Sequence, residues 1–192
     1  MTTYEIRTRR WTRAEYDRLV DLGVFQPGEP IELIGGQLMV CEAQGSSHFT
    51  TVGLVDDSLR AAFGPGWVVR AQGPLALDDE SEPEPDVAVV PGCRRDYLHG
   101  HPGLPVLAVE IAESSLAFDR RDKGSLYARA GLGDYWIVNL VDGCVEVYRE
   151  RAQDVTAPYG WRYASVTMLR PGETVSPLGA PGARVPVADL LP

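Results

Sequence analysis

Pro85-Asp86-Val87-Ala88-Val89-Val90 and Val106-Leu107-Ala108-Val109-Glu110-Ile111 are the two runs whose reading decides the fold. Each is apolar, of strand length, and carries one carboxylate: Asp86 opens the first and Glu110 sits near the end of the second. Apolar runs this short and continuous predict strands covered on both faces. An ionised carboxylate in such a strand is costly unless it is paired or binds a metal. Two acids on neighbouring strands would repel each other, and a divalent cation relieves that repulsion. Mg²⁺ suits the role because it takes one or two carboxylates, keeps several waters and accepts phosphate oxygens.

Downstream, Lys123 shares one helical face with Leu126, Tyr127 and Ala130, so its stem points inward and its ammonium needs an acidic partner. Asp119 reads as the cap of that helix, and Gly131 as its end. Lys123 is also the only lysine beside 17 arginines. A coding bias towards Arg accounts for the ratio, and a retained Lys fits a site that needs a compact, adjustable ammonium. A buried structural salt bridge among Asp86, Glu110 and Lys123 is the plain alternative. Tyr135–Leu140 and Cys144–Arg149 around Asp142-Gly143 read as a hairpin, and short strands are expected at 162–168 and 185–187.

Upstream, Thr12-Arg13-Ala14-Glu15 is a capping box with Trp11 and Tyr16 as a hydrophobic staple, predicting a helix over about 13–21. Ile31–Ile34, Gly35-Gly36 and Gln37–Val40 predict a tight hairpin. Val52, Val55, Leu59 and Ala62 recur at helical spacing before Gly64-Pro65-Gly66 stops the run. Trp67–Gln72 and Leu75–Leu77 read as strands. The mixture is α/β, with a central sheet and few helices.

With 192 residues the chain suits one sizeable core, expected as a single unit over 1–192 with its core at about 11–150 and a β-rich extension at about 151–192. No apolar run is long enough for a membrane span, and the charged start MTTYEIRTRR is unlike a signal peptide, so cytoplasmic localisation is expected. Cys41, Cys93 and Cys144 are odd in number and widely spaced, which fits reduced thiols. The net charge of −9 disfavours tight nucleic-acid binding. It is unevenly spread, however: residues 78–86 hold six acids, while Arg7, Arg9, Arg10, Arg13 and Arg18 crowd the start.

Several segments together resemble the Uma2 family, formerly a domain of unknown function (DUF820). They are Ile31-Glu32-Leu33-Ile34-Gly35-Gly36, His48 opening a helix, Pro85-Asp86-Val-Ala-Val-Val, Val109-Glu110-Ile-Ala-Glu-Ser-Ser, Asp119-Arg120-Arg121-Asp122-Lys123, and Leu126–Val138. They keep a consistent order from about residue 11 to 150. The resemblance implies a restriction-endonuclease-like fold of the PD-(D/E)xK type: a mixed β-sheet flanked by helices, with β-hairpins. It implies a metal-dependent endonuclease acting on nucleic acid, DNA by expectation. Mg²⁺ or Mn²⁺ would be held by Asp86, Glu110 and the Ile111 carbonyl, with Lys123 orienting or helping to deprotonate the attacking water. Glu32 matches the family's early acid near the metal. His48 and Arg120 are candidate substrate contacts, though a capping or core role suits His48 as well. The chain departs from the plain motif at Ala112, where other nucleases of this type carry Lys, and at Glu113, where many relatives have Ser followed by Pro.

Other chemistries find less support. Cys93, His99 and His101 share a loop but match no zinc spacing. Ser114-Ser115 lacks a nucleophile elbow, and no phosphate-cradling glycine loop exists. The main competitor is a non-catalytic module of the same fold acting through protein partners or as a homodimer, with the Tyr135–Val138 strand or its hairpin as a candidate interface.

Overall fold

The computed structural model describes residues 7–26, 28–40 and 44–192, so the expected free thiol of Cys41 lies outside the described residues. Thr12 caps α1 (Arg13–Asp21) as its signature predicts: the Thr12 hydroxyl accepts from the Glu15 N–H, and the Glu15 carboxylate accepts from the Thr12 N–H. Two orphan donors of the helix are thereby satisfied. Trp11 packs against Tyr16, Ile31 and Leu33, and the Tyr16 hydroxyl donates to the Ile31 carbonyl at 2.7 Å. β1 (Ile31–Ile34) and β2 (Gln37–Val40) form the expected hairpin, with Ile34 opposite Gln37. Gly35 and Gly36 turn it at φ +55° and +78°, a left-handed pair that residues with a Cβ disfavour.

The central sheet has six strands in the spatial order β3 (Trp67–Ala71), β4 (Val87–Pro91), β5 (Leu107–Ala112), β6 (Tyr135–Asn139), β7 (Cys144–Gln153) and β8 (Trp161–Leu169). β5 and β6 run parallel; every other neighbouring pair is antiparallel. α2 (Ser46–Phe63) and the C-terminal segment with β9 (Thr174–Val175) and β10 (Val185–Pro186) cover one face, where Val55, Leu59, Val187 and Leu190 meet Val87, Val89 and Val109. The other face carries α4 (Gly124–Ala130), whose Tyr127 and Ala128 lie on Ala88, Ala108, Ala112 and Ile137. The two-residue period of β5 decides the rest. Leu107, Val109 and Ile111 turn to α2, so Glu110 turns with Ala108 and Ala112 to α4. This is the expected mixed α/β sheet flanked by helices.

Four local expectations are corrected. Leu75–Leu77 is a loop: the Leu75 and Leu77 N–H groups bond the Pro83 and Ser81 carbonyls, folding this segment onto its own continuation. β7 runs on to Gln153 because β8 pairs with it as far as Trp161. The Lys123 helix starts earlier than Asp119. α3 (Leu116–Phe118), a π-helical turn (Asp119–Lys123) and α4 follow one another without a break, so Asp119 lies inside the helix. Finally, β6 lies between β5 and β7 with Tyr135–Val138 wholly buried, so that strand offers no surface for a second copy. Among the described residues, no helix is long and apolar enough to cross a membrane.

Beside α1, Glu82 is 4% exposed, and its Oε2 has no hydrogen-bond partner. Arg13 stands 4.0 Å away. Burial, with Asp17 adding to it, raises the Glu82 carboxyl from 4.5 to about 7. The folded chain thus binds this proton more tightly than the unfolded chain does. Stability from this group is full below about 4.5 and falls as pH rises towards about 7. Glu82→Gln is expected to raise the melting temperature at pH 8 more than at pH 4.5, a difference that thermal melts at the two pH values measure directly.

Candidate active site

Asp86 sits one residue before β4. Extending the β4–β5 register, in which Val87 faces Val109, brings it opposite Glu110. Its Oδ2 accepts from the Ile111 N–H at 2.8 Å and lies 3.2 Å from His48 Nε2. Gln44 donates to Oδ1 at 3.4 Å, and Gln72 donates to Gln44 at 2.6 Å. Gln72 holds a left-handed φ of +48°, a conformation that side chains rarely adopt, directly beside this site.

Glu110 is deeper. Its Oε1 accepts from the Tyr127 hydroxyl at 2.8 Å and stands 3.1 Å from Lys123 Nζ. Lys123 also reaches Glu32 Oε1 at 3.3 Å, while Glu32 Oε2 accepts from the Glu84 N–H at 3.1 Å. The hairpin β1–β2, strands β4 and β5, and the π-helical turn thus meet in one cavity of about 360 Å³. A larger cavity of about 1020 Å³, between α2 and residues 180–189, is lined half by Ala and Pro and gathers no such set of buried groups.

The charge balance is lopsided. Glu32, Glu84, Asp86, Glu110, Glu113 and Asp119 line the cavity, against Lys123 and His48. Burial drives the Glu110 carboxyl well above the usual range; Lys123 opposes this, and Asp119, Asp86 and Glu32 add to it. Burial likewise raises Asp119 and Glu84. Lys123 shows the converse: burial alone would lower it, but Glu110 and Glu32 outweigh that and hold it well above its ordinary value. Its two carboxylate neighbours thus favour the charged ammonium. Burial also works against charge on His48, yet Asp86 and the Ile111 backbone carry its pKa above the ordinary value.

The Tyr127–Glu110 contact gives a direct test. Tyr127→Phe removes one buried donor from Glu110 and is expected to cost about 1–2 kcal/mol, read from urea unfolding.

Among the sequence candidates, the fold brings together Asp86, Glu110, Ile111, Lys123, Glu32 and His48. Arg120 is not brought to this cavity: its guanidinium turns the other way and holds Glu146 at 2.5 and 3.0 Å. Cys93 pairs with Asp96 instead of with histidines. Sequence reading missed Asp119 and Glu84. Asp119 is 3% exposed, accepts from the Ser115 hydroxyl at 2.6 Å and lines the cavity. Its signal was the spacing of four from Lys123. The π-helical turn, braced by the Tyr135 hydroxyl on the Asp119 carbonyl at 3.1 Å, turns both residues inward. Glu84 alternates with Asp86 along the extended segment, which its spacing of two already implied.

Among the described residues, no three His, Cys, Asp or Glu side chains form a ready cage for a metal ion. The available donors are instead two carboxylates and one carbonyl, a partial shell of the kind that Mg²⁺ completes with water. His48 Nε2 bears on Asp86, while its Nδ1 is buried with no hydrogen-bond partner, so an unpaired nitrogen lies beside the same acid. The donor set therefore fits a hard divalent cation, with His48 displaced or joining as a further ligand.

Comparison with known proteins agrees with this fold. The Uma2 family model, described as "Putative restriction endonuclease", matches residues 13–188. The chain is also similar to a solved structure from Anabaena variabilis, described as a putative nuclease belonging to DUF820. The TM-score is 0.65 and the identity 15%, covering 90% of this chain and 96% of that one. No curated protein matches the chain.

Proposed function

The chain belongs to the Uma2 family, and on that premise we propose that it is a divalent-metal-dependent nuclease that hydrolyses phosphodiester bonds, with DNA as its substrate. One observation carries the reading: buried Asp86 and Glu110 face each other on neighbouring strands beside Lys123, in a cavity whose acids outnumber its cations. Asp86, Glu110 and the Ile111 carbonyl would hold Mg²⁺ or Mn²⁺. A cation there supplies polarisation of a phosphodiester oxygen and a more acidic water. Lys123, fixed between Glu110 and Glu32, orients the attacking water and offsets charge as it develops on the phosphorus oxygens. Glu32 holds Lys123 in place, and Tyr127 does the same for Glu110. His48 is placed to meet a phosphate oxygen once it leaves Asp86.

The test is incubation of the purified chain with end-labelled single-stranded DNA, double-stranded DNA and RNA. Mg²⁺ or Mn²⁺ is compared with EDTA. The reading expects DNA cleavage that appears with the metal and vanishes in EDTA. Cleavage of RNA alone would correct the substrate. Intact nucleic acid in every lane would leave the fold as a non-catalytic module.

A further inference from the structure

The helix that carries Asp119 and Lys123 separates two cavities of opposite character. On its far side, facing the β7–β8 connection, lies a groove of about 390 Å³. Arg120, Arg121 and Arg162 line it against a single acid, Asp154, in a chain whose net charge is −9. Arg120 and Arg121 lie between Asp119 and Lys123 in sequence, so one π-helical turn sends its acid and lysine into one cavity and its two arginines into the other. Arg120 is fixed by Glu146 and defines the wall. Arg121 and Arg162 are freer, with 75% and 53% of their side chains exposed. Each meets one carboxylate, Asp122 and Asp154 respectively, and a guanidinium has five N–H donors, so both keep donors for another anion.

The rest of the lining is aromatic. Tyr148 and Tyr163 lie edge to face at 6.0 Å, with their hydroxyls already bonded to Glu146 and the Leu132 carbonyl. Trp161 is half-buried beside them, with the Arg151 guanidinium 6.0 Å from its ring centroid. Cations that follow a backbone, set beside an aromatic platform for bases, are the working parts of a site for single-stranded nucleic acid. A groove of this volume accommodates one nucleotide. An acidic peptide would use the arginines but not the aromatic lining.

We propose that this groove binds a segment of single-stranded nucleic acid, with phosphates on Arg121 and Arg162 and a base against Trp161. The proposal rests on the nuclease reading and places cations for the phosphate backbone on the face of the helix opposite the acidic cavity.

The experiment measures fluorescence anisotropy of a labelled twelve-nucleotide oligo-dT with the full chain in EDTA, across a salt series. The proteins compared are the wild type, Arg121→Gln/Arg162→Gln, Arg121→Lys/Arg162→Lys and Trp161→Phe. Both arginines are exposed and their ion pairs contribute little to folding; thermal melts check that the variants fold. The glutamine pair is expected to weaken binding about ten-fold and to flatten the slope of log K against log salt by about 1.4, two phosphate contacts' worth. The lysine pair should keep the wild-type slope, and Trp161→Phe should weaken binding without changing it. Wild-type binding that the glutamine pair leaves intact would overturn the groove and spare the nuclease reading. No wild-type binding of the oligonucleotide would overturn the groove, while metal-dependent cleavage decides the nuclease reading separately. Groove-dependent binding of poly-glutamate with none of the oligonucleotide would assign the groove to acidic peptides instead.

Discussion

Glu110→Gln is expected to lower the rate of metal-dependent DNA cleavage on the order of a thousand-fold while the chain stays folded. The amide keeps the shape and can still accept the 2.8 Å hydrogen bond from Tyr127, so the local packing survives. What disappears is a negative charge that burial and three neighbouring acids already make costly in the absence of a cation. Loss of one electrostatic partner of the reacting group is worth about 10²–10³ in rate, and loss of a metal ligand removes that and the cation together. Single-turnover cleavage at saturating Mn²⁺ measures the effect. Near-normal cleavage by the variant would remove Glu110 from the metal site.

Lys123→Ala should be the most destabilising single substitution in the cavity. The ammonium is 7% exposed and stands 3.1 Å from Glu110 and 3.3 Å from Glu32. Deleting it strands two buried carboxylates, a change that costs about 3–5 kcal/mol. Urea unfolding in EDTA reads the loss. The double variant Lys123→Met/Glu110→Gln should recover much of that stability, because two of the buried charges leave together. It should recover no cleavage. This separation distinguishes a working lysine from a purely structural salt bridge: if the double variant cut DNA like the wild type, Lys123 and Glu110 would be structural alone.

How far the sequence could be read depended on how local each determinant was. The Thr12–Glu15 capping box and the Gly35-Gly36 turn are written in adjacent residues, and both form as expected. Asp86 and Glu110 were legible because an acid inside an apolar strand is conspicuous. Lys123 was legible because its helical face is otherwise apolar. Asp119 was read as a cap because helix-capping residues and buried site acids are the same residue types. Only the three-dimensional start of the helix at Leu116 decides between the two readings. The direction of Arg120 was not legible for a related reason. The π-helical turn changes the angle between successive side chains, so ordinary helical spacing from Lys123 does not say where Arg120 points. Its buried partner, Glu146, lies on β7, and a contact across 26 residues leaves no mark on the sequence near Arg120. Leu75–Leu77 had the composition of a strand, but its backbone donors find carbonyls at Ser81 and Pro83 and not in the sheet.

Isothermal titration of Mg²⁺ and Mn²⁺ into the wild type and into Asp86→Ala tests the central claim most directly. The account predicts saturable binding to the wild type at millimolar concentration or below, and its loss in Asp86→Ala. Absence of binding to the wild type, or equal binding to both proteins, would contradict it.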